Sequence, residues 1–516
     1  MTGPRESTAW ILPSAVADAP ADLLPGDADA SPEAATREDW TWLDTFDWRL
    51  ERAGLRLLEV REDGRRWREL RRREDGRVLR LGEPGGCFAD DIEPAALRDR
   101  LSPVMEMRAL LPVVRLRVQR RLYPVRDARG KIVVRLSVCM ATASDPAASD
   151  QIYPLAPRIV LEALKGYDDE ARRVRDHFDE QTGLTEAETS LMDAGLRAIG
   201  REPRDYSSKI RLRLAPSMPA AEATRWILSH LLAALEANET GVREDIDSEF
   251  LHDFRVAVRR TRSALGQIKG ALPPAPREHF RTEFAWLQQA TGPARDLDVY
   301  LLNMPDYAAC LPEEARADLE PLRAFLERRR DAAYRDLVAE LDSDRYRRLL
   351  DDWHAFLERD DTGAPRGDWS TRALADQRIR KMYRRLLREG EAIGPESPNE
   401  DLHEMRKTCK KLRYLMEFFR SLYPSAEIGR LIKTLKRLQE NLGDFHDLHV
   451  QREALQSFAQ DMTASGEAPP ATLLAMGRLV DDLERRERRT RDEFAERFDR
   501  FARRKNRRRF KRLFAA

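Results

Sequence analysis

Two sets of cationic residues in this 516-residue chain share one spacing. The first is His252, Arg255, Arg259, Arg260 and Arg262. The second is His403, Arg406, Lys410, Lys411 and Arg413, each member displaced by 151 positions. Such density suits the holding of oxyanions. Arg presents a planar fork of donors matched to phosphate oxygens, Lys a compact charge, and His a donor whose charge depends on pH. No nucleophile elbow supports Ser/His/Asp catalysis, so the chemistry implied is binding, and no catalytic residue is assigned.

A second echo follows each set. Gly292-Pro-Ala-Arg295-Asp296-Leu-Asp298-Val aligns with Gly443-Asp-Phe-His446-Asp447-Leu-His449-Val at the same offset. An ungapped offset across both motifs indicates a duplicated structural unit. The shared Asp296 and Asp447 are read as supports that pair with a basic side chain and fix its rotamer.

The element that positions each set is an amphipathic helix. At helical periodicity Arg255, Arg259 and Arg262 fall within roughly 80° of His252, and Arg260 flanks them on the other side. Phe254, Ala257, Val258, Ala264, Leu265 and Ile268 oppose them. In the second set Met405, Cys409, Leu412, Leu415, Met416 and Phe419 form the apolar face. Residues 251–270 carry five Lys/Arg against one Asp, and residues 403–420 six against two Glu. Like charges three and four apart each cost roughly 0.2–0.5 kcal/mol on a helix. A solvated face bridged to other helices is the bland account of such a run; its recurrence in register favours an anion site.

Composition narrows the field. Lys+Arg is 91 and Asp+Glu 90, so the positive charge is local rather than global, unlike that of a generic nucleic-acid binder. Four scattered cysteines without a CxxC pair argue against a disulfide framework or a zinc site and fit a reducing compartment. No run of 18 apolar residues predicts a membrane helix, and the stretch Ala9–Ala17, broken by Pro13, is not read as a signal peptide. A cytoplasmic location is expected, with no membrane partner.

Residues 1–39, rich in Ala, Asp and Pro, read as a flexible extension. In residues 40–216, Trp42–Leu58 is amphipathic with a break at Gly54. Short alternating runs follow, parted by Asp63-Gly64, Asp75-Gly76 and Arg129-Gly130. Arg115, Arg117, Gln119 and Arg121 share one strand face, opposite Val114, Leu116 and Val118. The expected class is α+β with an antiparallel sheet or barrel. Residues 217–516 are expected to be all-helical, as repeat 1 (about 217–365) and repeat 2 (about 366–516), with breaks near Pro273–Pro276, Gly363–Gly367 and Gly394–Pro398.

The paired His/basic helices and their Gly-x3-Asp-Leu-x-Val echoes resemble the CHAD domain, the histidine-containing α-helical domain. The resemblance implies two antiparallel helical bundles related by a pseudo-two-fold axis, and inorganic polyphosphate as the partner. Carried over by position, it implies a groove of His252, Arg255, Arg259, Arg260 and Arg262 with His403, Arg406, Lys410, Lys411 and Arg413. It also suggests targeting to, or sensing of, polyphosphate granules. Trp42-Leu-Asp44-Thr45-Phe46-Asp47-Trp-Arg49-Leu with Ala53-Gly54-Leu resembles a CYTH domain, the triphosphate tunnel fold. That family's acidic ExExK strand is absent from residues 1–40. Its carboxylates would hold the divalent ion that bridges phosphate oxygens, so a degenerate CYTH-like shell is expected, with Arg115, Arg117 and Arg121 as candidate tunnel cations.

Two alternatives stand beside polyphosphate binding. One is a metal-dependent triphosphatase or polyphosphatase in the N-terminal half. The other is nonspecific nucleic-acid binding, which would want aromatics among the cations where the motifs offer only Tyr414. His446 and His449 could meet as metal ligands with Asp444 or Asp447, but Arg295 and Asp298 stand at the two histidines' repeat positions. They are read as a polar helix start, and no metal or cofactor is assigned. Gly82–Gly86 is a turn, not a phosphate cradle. The tail, nine Lys/Arg within Arg500–Arg512, could extend the polyphosphate surface or bind nucleic acid nonspecifically, and in a final helix Phe501, Phe510 and Leu513 could dock it on the bundle.

Overall fold

The computed structural model describes residues 8–14, 17, 23–26, 33–74, 78–81, 85–359 and 363–515. The Asp75-Gly76 turn, most of Gly82–Gly86 and much of the expected N-terminal extension lie outside the described residues. The chain divides into two compact units, Met1–Ser207 and Ser208–Ala516.

In the first unit every strand pairing is antiparallel: β1 (Thr8–Ile11), β2 (Thr36–Thr45), β3 (Leu55–Glu62), β4 (Arg65–Arg72), β5 (Val78–Leu81), β6 (Leu110–Arg126), β7 (Ile132–Asp145), β8 (Ala148–Pro154), β9 (Arg158–Ala163) and β10 (Thr185–Glu186). Their order is β10-β1-β9-β7-β6-β2-β3-β4-β5, with β8 beside β7, so the described sheet is open rather than a closed barrel. Helices α1 (Arg49–Arg52), α2 (Ala95–Met105), α3 (Asp168–Asp176) and α4 (Leu191–Ala198) complete the α+β class.

The long hairpin β6–β7 changes its covered face midway. Val114, Leu116 and Val118 pack with Ala141, Ala143 and, from α4, Met192 and Leu196. Beyond Gln119 the opposite face is buried: Tyr123 and Val125 pack with Leu136, Val138 and, from α3, Ala171 and Val174. The expected Arg115–Arg121 face therefore holds only in its first half, where Arg115 and Arg117 are exposed between buried neighbours.

Two expectations are corrected. Residues 1–39 are not uniformly an extension: β1 lies against β9, and Trp10 is fully buried, its ring 4.7 Å from that of Phe178 and its N–H donating to Asp179 Oδ1 at 2.7 Å. Trp42–Leu58 is not one amphipathic element but a strand end, a one-turn helix and the next strand. Its Asp44 is the cause: the buried carboxylate accepts from the backbone N–H of Thr45, Leu50 and Glu51 at 2.7–2.9 Å, turning the chain into α1. Burial nevertheless pushes Asp44 up to about 6.

The second unit is helical: α5 (Ala220–Arg243), α6 (Ser248–Gln267), α7 (Pro274–Ala290), α8 (Gly292–Leu302), α9 (Met304–Ala309), α10 (Glu320–Leu341), α11 (Asp344–Glu358), α12 (Thr371–Ala392), α13 (Asn399–Phe418), α14 (Ser425–Ala464), α15 (Pro470–Asp492), α16 (Phe494–Ala502) and α17 (Arg504–Leu513). The duplication runs through all of it. The starts of α5 and α12, of α6 and α13, and of α7 and α14 are each 151 residues apart. The repeats differ where α14 continues unbroken for 40 residues against α7, α8 and α9 in repeat 1, and where α16 and α17 part at the position that α11 runs through. Both breaks in repeat 1 carry a proline, Pro293 and Pro305, whose repeat positions hold Asp444 and Gln456. Proline lacks the N–H and clashes with the preceding turn, so the helix restarts there. His446 and His449 thus sit inside a helix, not at a helix start.

Apolar packing joins the repeats. Tyr300, Met304, Leu322 and Leu326 share a core with Leu448, Leu455, Met462 and Leu479. The apolar faces assigned to α6 and α13 are all buried, at 2% exposure or less. The tail docks as expected through Phe501, Phe510 and Leu513, with Phe510 stacked on Tyr383 at 3.8 Å.

Candidate anion-binding site

Helices α6 and α13 pack against each other, and their polar faces border a groove of about 1160 Å³. From the two motifs it takes Arg259, Arg262, Lys410 and Lys411, with Lys407 beside them. Arg277 and Arg281 of α7 form a second wall, and Arg378, Lys381, Arg385 and Arg388 of α12 a third. With Lys269, twelve Lys/Arg line the groove among the described residues, against one carboxylate, Glu278.

The remaining motif residues do not line this groove. His252 Nδ1 lies 3.2 Å from an Nη of Arg295. Arg255 donates to Gln288 O at 2.9 Å and Thr291 Oγ1 at 2.7 Å. Arg260 donates to Ser208 O and stands 3.8 Å from Glu417, which Arg413 also approaches at 3.8 Å. Arg406 pairs with Asp447 at 3.1 Å. The adjacent cations separate in repeat 1, where Arg259 faces the groove and Arg260 does not, but in repeat 2 both Lys410 and Lys411 face it. The ten predicted cations are therefore four in the groove wall and six beside or behind it. For Arg260 the cause is that adjacent residues are about 100° apart on a helix, so Ser208 O and Glu417 hold it while Arg259 faces the groove.

Burial sets the electrostatics. It lowers the pKa of Arg255, Arg260, Arg262 and Arg406. Lys410 is pushed down to about 7 by burial and then by the Arg406 and Arg259 cations. Asp447 meets Arg406 directly, whereas Asp296 is raised by burial against the pull of Arg255 and Arg295. Tyr414, at the motif's edge in sequence, is buried in the groove wall, and its hydroxyl accepts from Arg259 Nε at 2.9 Å.

His403, His446 and His449 gather behind this wall. Nδ1 of His403 and His446 are 2.9 Å apart, and His449 is held by Glu487 at 3.0 Å. Burial and nearby cations push His446 down to about 4. Among the described residues no three His, Cys, Asp or Glu are grouped to hold a metal ion.

The α12 wall escaped the sequence reading. Gln377–Arg388 carries six Lys/Arg and no acid, a signal in plain view. The repeat comparison passes over it, because the matching positions of α5 are Ile227, Ser229, His230, Ala233, Ala234 and Ala237. In the N-terminal unit, Arg61, Arg66, Arg115 and Arg117 line a separate pocket of about 450 Å³ with Asp39 and Glu59. Asp39 approaches Arg117 at 3.5 Å and Glu59 approaches Arg66 at 2.6 Å, so two carboxylates offset two of its four cations. Arg121 does not line it.

Comparison with known proteins follows the geometry. Residues 227–456, a little under half of the chain, match the CHAD domain family. The CHAD domain is not a known catalytic domain. Two uncharacterised Mycobacterium tuberculosis proteins, from strains CDC 1551 and H37Rv, are each 28% identical over 298 residues, covering 54% of this chain and 56% of theirs. The match thus spans a little over half the length of those curated relatives. Among solved structures, the CHAD domain from the plant Ricinus communis is 29% identical over 56% of this chain and 96% of its own, with a TM-score of 0.48. PptA from Streptomyces chartreusis is 18% identical over 54% and 98%, with a TM-score of 0.43. No described helix is long and apolar enough to cross a membrane.

Proposed function

We propose that this protein binds inorganic polyphosphate in the groove between α6, α7, α12 and α13, as a receptor rather than an enzyme, in the cytoplasm at polyphosphate granules. The supporting observation is the wall of twelve Lys/Arg with one carboxylate among the described residues. A linear polyanion neutralises such a wall along its length and releases counterions as it does so. The one aromatic in the wall, Tyr414, is committed to Arg259, which leaves no stacking platform for bases and weighs against nucleic acid.

The test is binding of long-chain polyphosphate to the full-length protein, titrated against salt. The double substitution Arg262→Gln, Lys411→Gln should weaken binding about 10–100-fold, the scale of two lost charge-assisted contacts. The slope of log affinity against log salt should become shallower by about 0.7 for each cation removed. A double variant that binds like wild type places the site elsewhere. RNA that competes equally, phosphate for phosphate, makes the protein a nonspecific polyanion binder. Phosphate release from tripolyphosphate with Mg²⁺ or Mn²⁺ would instead support the triphosphatase alternative.

A further inference from the structure

A second basic groove, of about 1140 Å³, lies on the other flank of α12. Its own cations are Arg366, Arg380, Arg384 and Arg507, the last from α17. Lys269, Arg378, Lys381 and Arg388 line both grooves, so no neutral gap parts them. Lys269 marks the junction: burial, and then Arg378, Arg277, Lys381 and Arg281, lower its pKa. The continuation is one-sided, because α5, the repeat partner of α12, has one histidine and no Lys or Arg at the six matching positions.

We propose that a bound polyanion does not end in the first groove but crosses α12 into the second, so that the site reads chain length. The proposal rests on the polyphosphate reading of the first groove and adds a chain-specific exit path. A chain short enough to fit the first groove makes no use of Arg380 and Arg384. A longer chain gains contacts there without losing any, and its second set of contacts forms at the high effective concentration of a tethered ligand.

The experiment compares tripolyphosphate with long-chain polyphosphate on full-length wild type and on the double variant Arg380→Ser, Arg384→Ser, with the far-ultraviolet spectrum and thermal midpoint as checks of folding. The expected result is an affinity for long chains at least about tenfold lower, with a salt slope shallower by about 1.4, and an unchanged affinity for tripolyphosphate. Unchanged long-chain binding overturns the exit path. An equal loss for both ligands also overturns it, because it reports a general field rather than a second set of contacts. If wild type binds neither ligand, the polyphosphate reading itself fails. If Arg262→Gln, Lys411→Gln loses both ligands while Arg380→Ser, Arg384→Ser loses only the long one, the two grooves are successive segments of one path.

Discussion

Lys410 shows how a single residue couples the groove to pH. In the folded protein it is pushed down from 10.5 to about 7, first by burial and then by Arg406 and Arg259, with Asp447 opposing and Arg413 adding to the effect. The folded state therefore holds fewer protons than the unfolded chain between about pH 7 and 10.5, and this group's contribution to stability rises with pH across that window. A bound polyanion has the opposite preference, since it favours the ammonium form. Long-chain polyphosphate should then bind about tenfold more weakly at pH 8 than at pH 6, as expected for one proton taken up by a group titrating near 7. Lys410→Arg should flatten the profile, because guanidinium stays charged throughout. An arginine variant with the wild-type profile would show that Lys410 does not carry the effect.

Among the elements, α14 is the informative one. Its residues Leu442–Asp444 continue the helix where Thr291–Pro293 interrupts it in repeat 1. The interruption follows from proline chemistry, so it should be transferable. Asp444→Pro should cost about 3 kcal/mol in urea unfolding, the penalty of a proline inside a helix. A loss within error of zero would mean that α14 already tolerates a break there. The same comparison explains what a sequence can reveal about elements. The apolar faces of α6 and α13 were legible because periodicity records burial, and Phe254, Val258, Met405 and Leu412 are all buried. The single-turn helix after Asp44 was not legible, because one side chain's three hydrogen bonds, rather than any repeating pattern, dictate it.

At the scale of the molecule, a net charge of +1 conceals the concentration of cations in the helical unit. The two units should respond separately to ligand. At about 100 times its Kd, polyphosphate should stabilise the unit that binds it by about 2.7 kcal/mol. Calorimetry should show the transition of Ser208–Ala516 moving upward and that of Met1–Ser207 staying in place. Movement of the N-terminal transition instead would assign binding to the pocket around Arg115 and Arg117. Of the site, sequence periodicity revealed that α6 and α13 carry repeated cations opposite their buried apolar faces. It did not reveal which of Arg259 and Arg260 turns inward, because Ser208 O and Glu417 settle that from distant parts of the chain. Nor did it reveal the α12 wall, whose cations have no echo in α5.

The 151-residue register of the helices also bears on ancestry. A chain carrying only one repeat would expose the core face that Tyr300, Met304 and Leu322 now bury against Leu448, Leu455 and Leu479. Such a face is satisfied most simply by a second copy of itself in a closed two-fold dimer. The ancestor implied by this architecture is a homodimer joined through that face. Fusion lets the halves differ, one carrying the α12 cations and the other Pro293 and Pro305, differences that two identical subunits cannot hold.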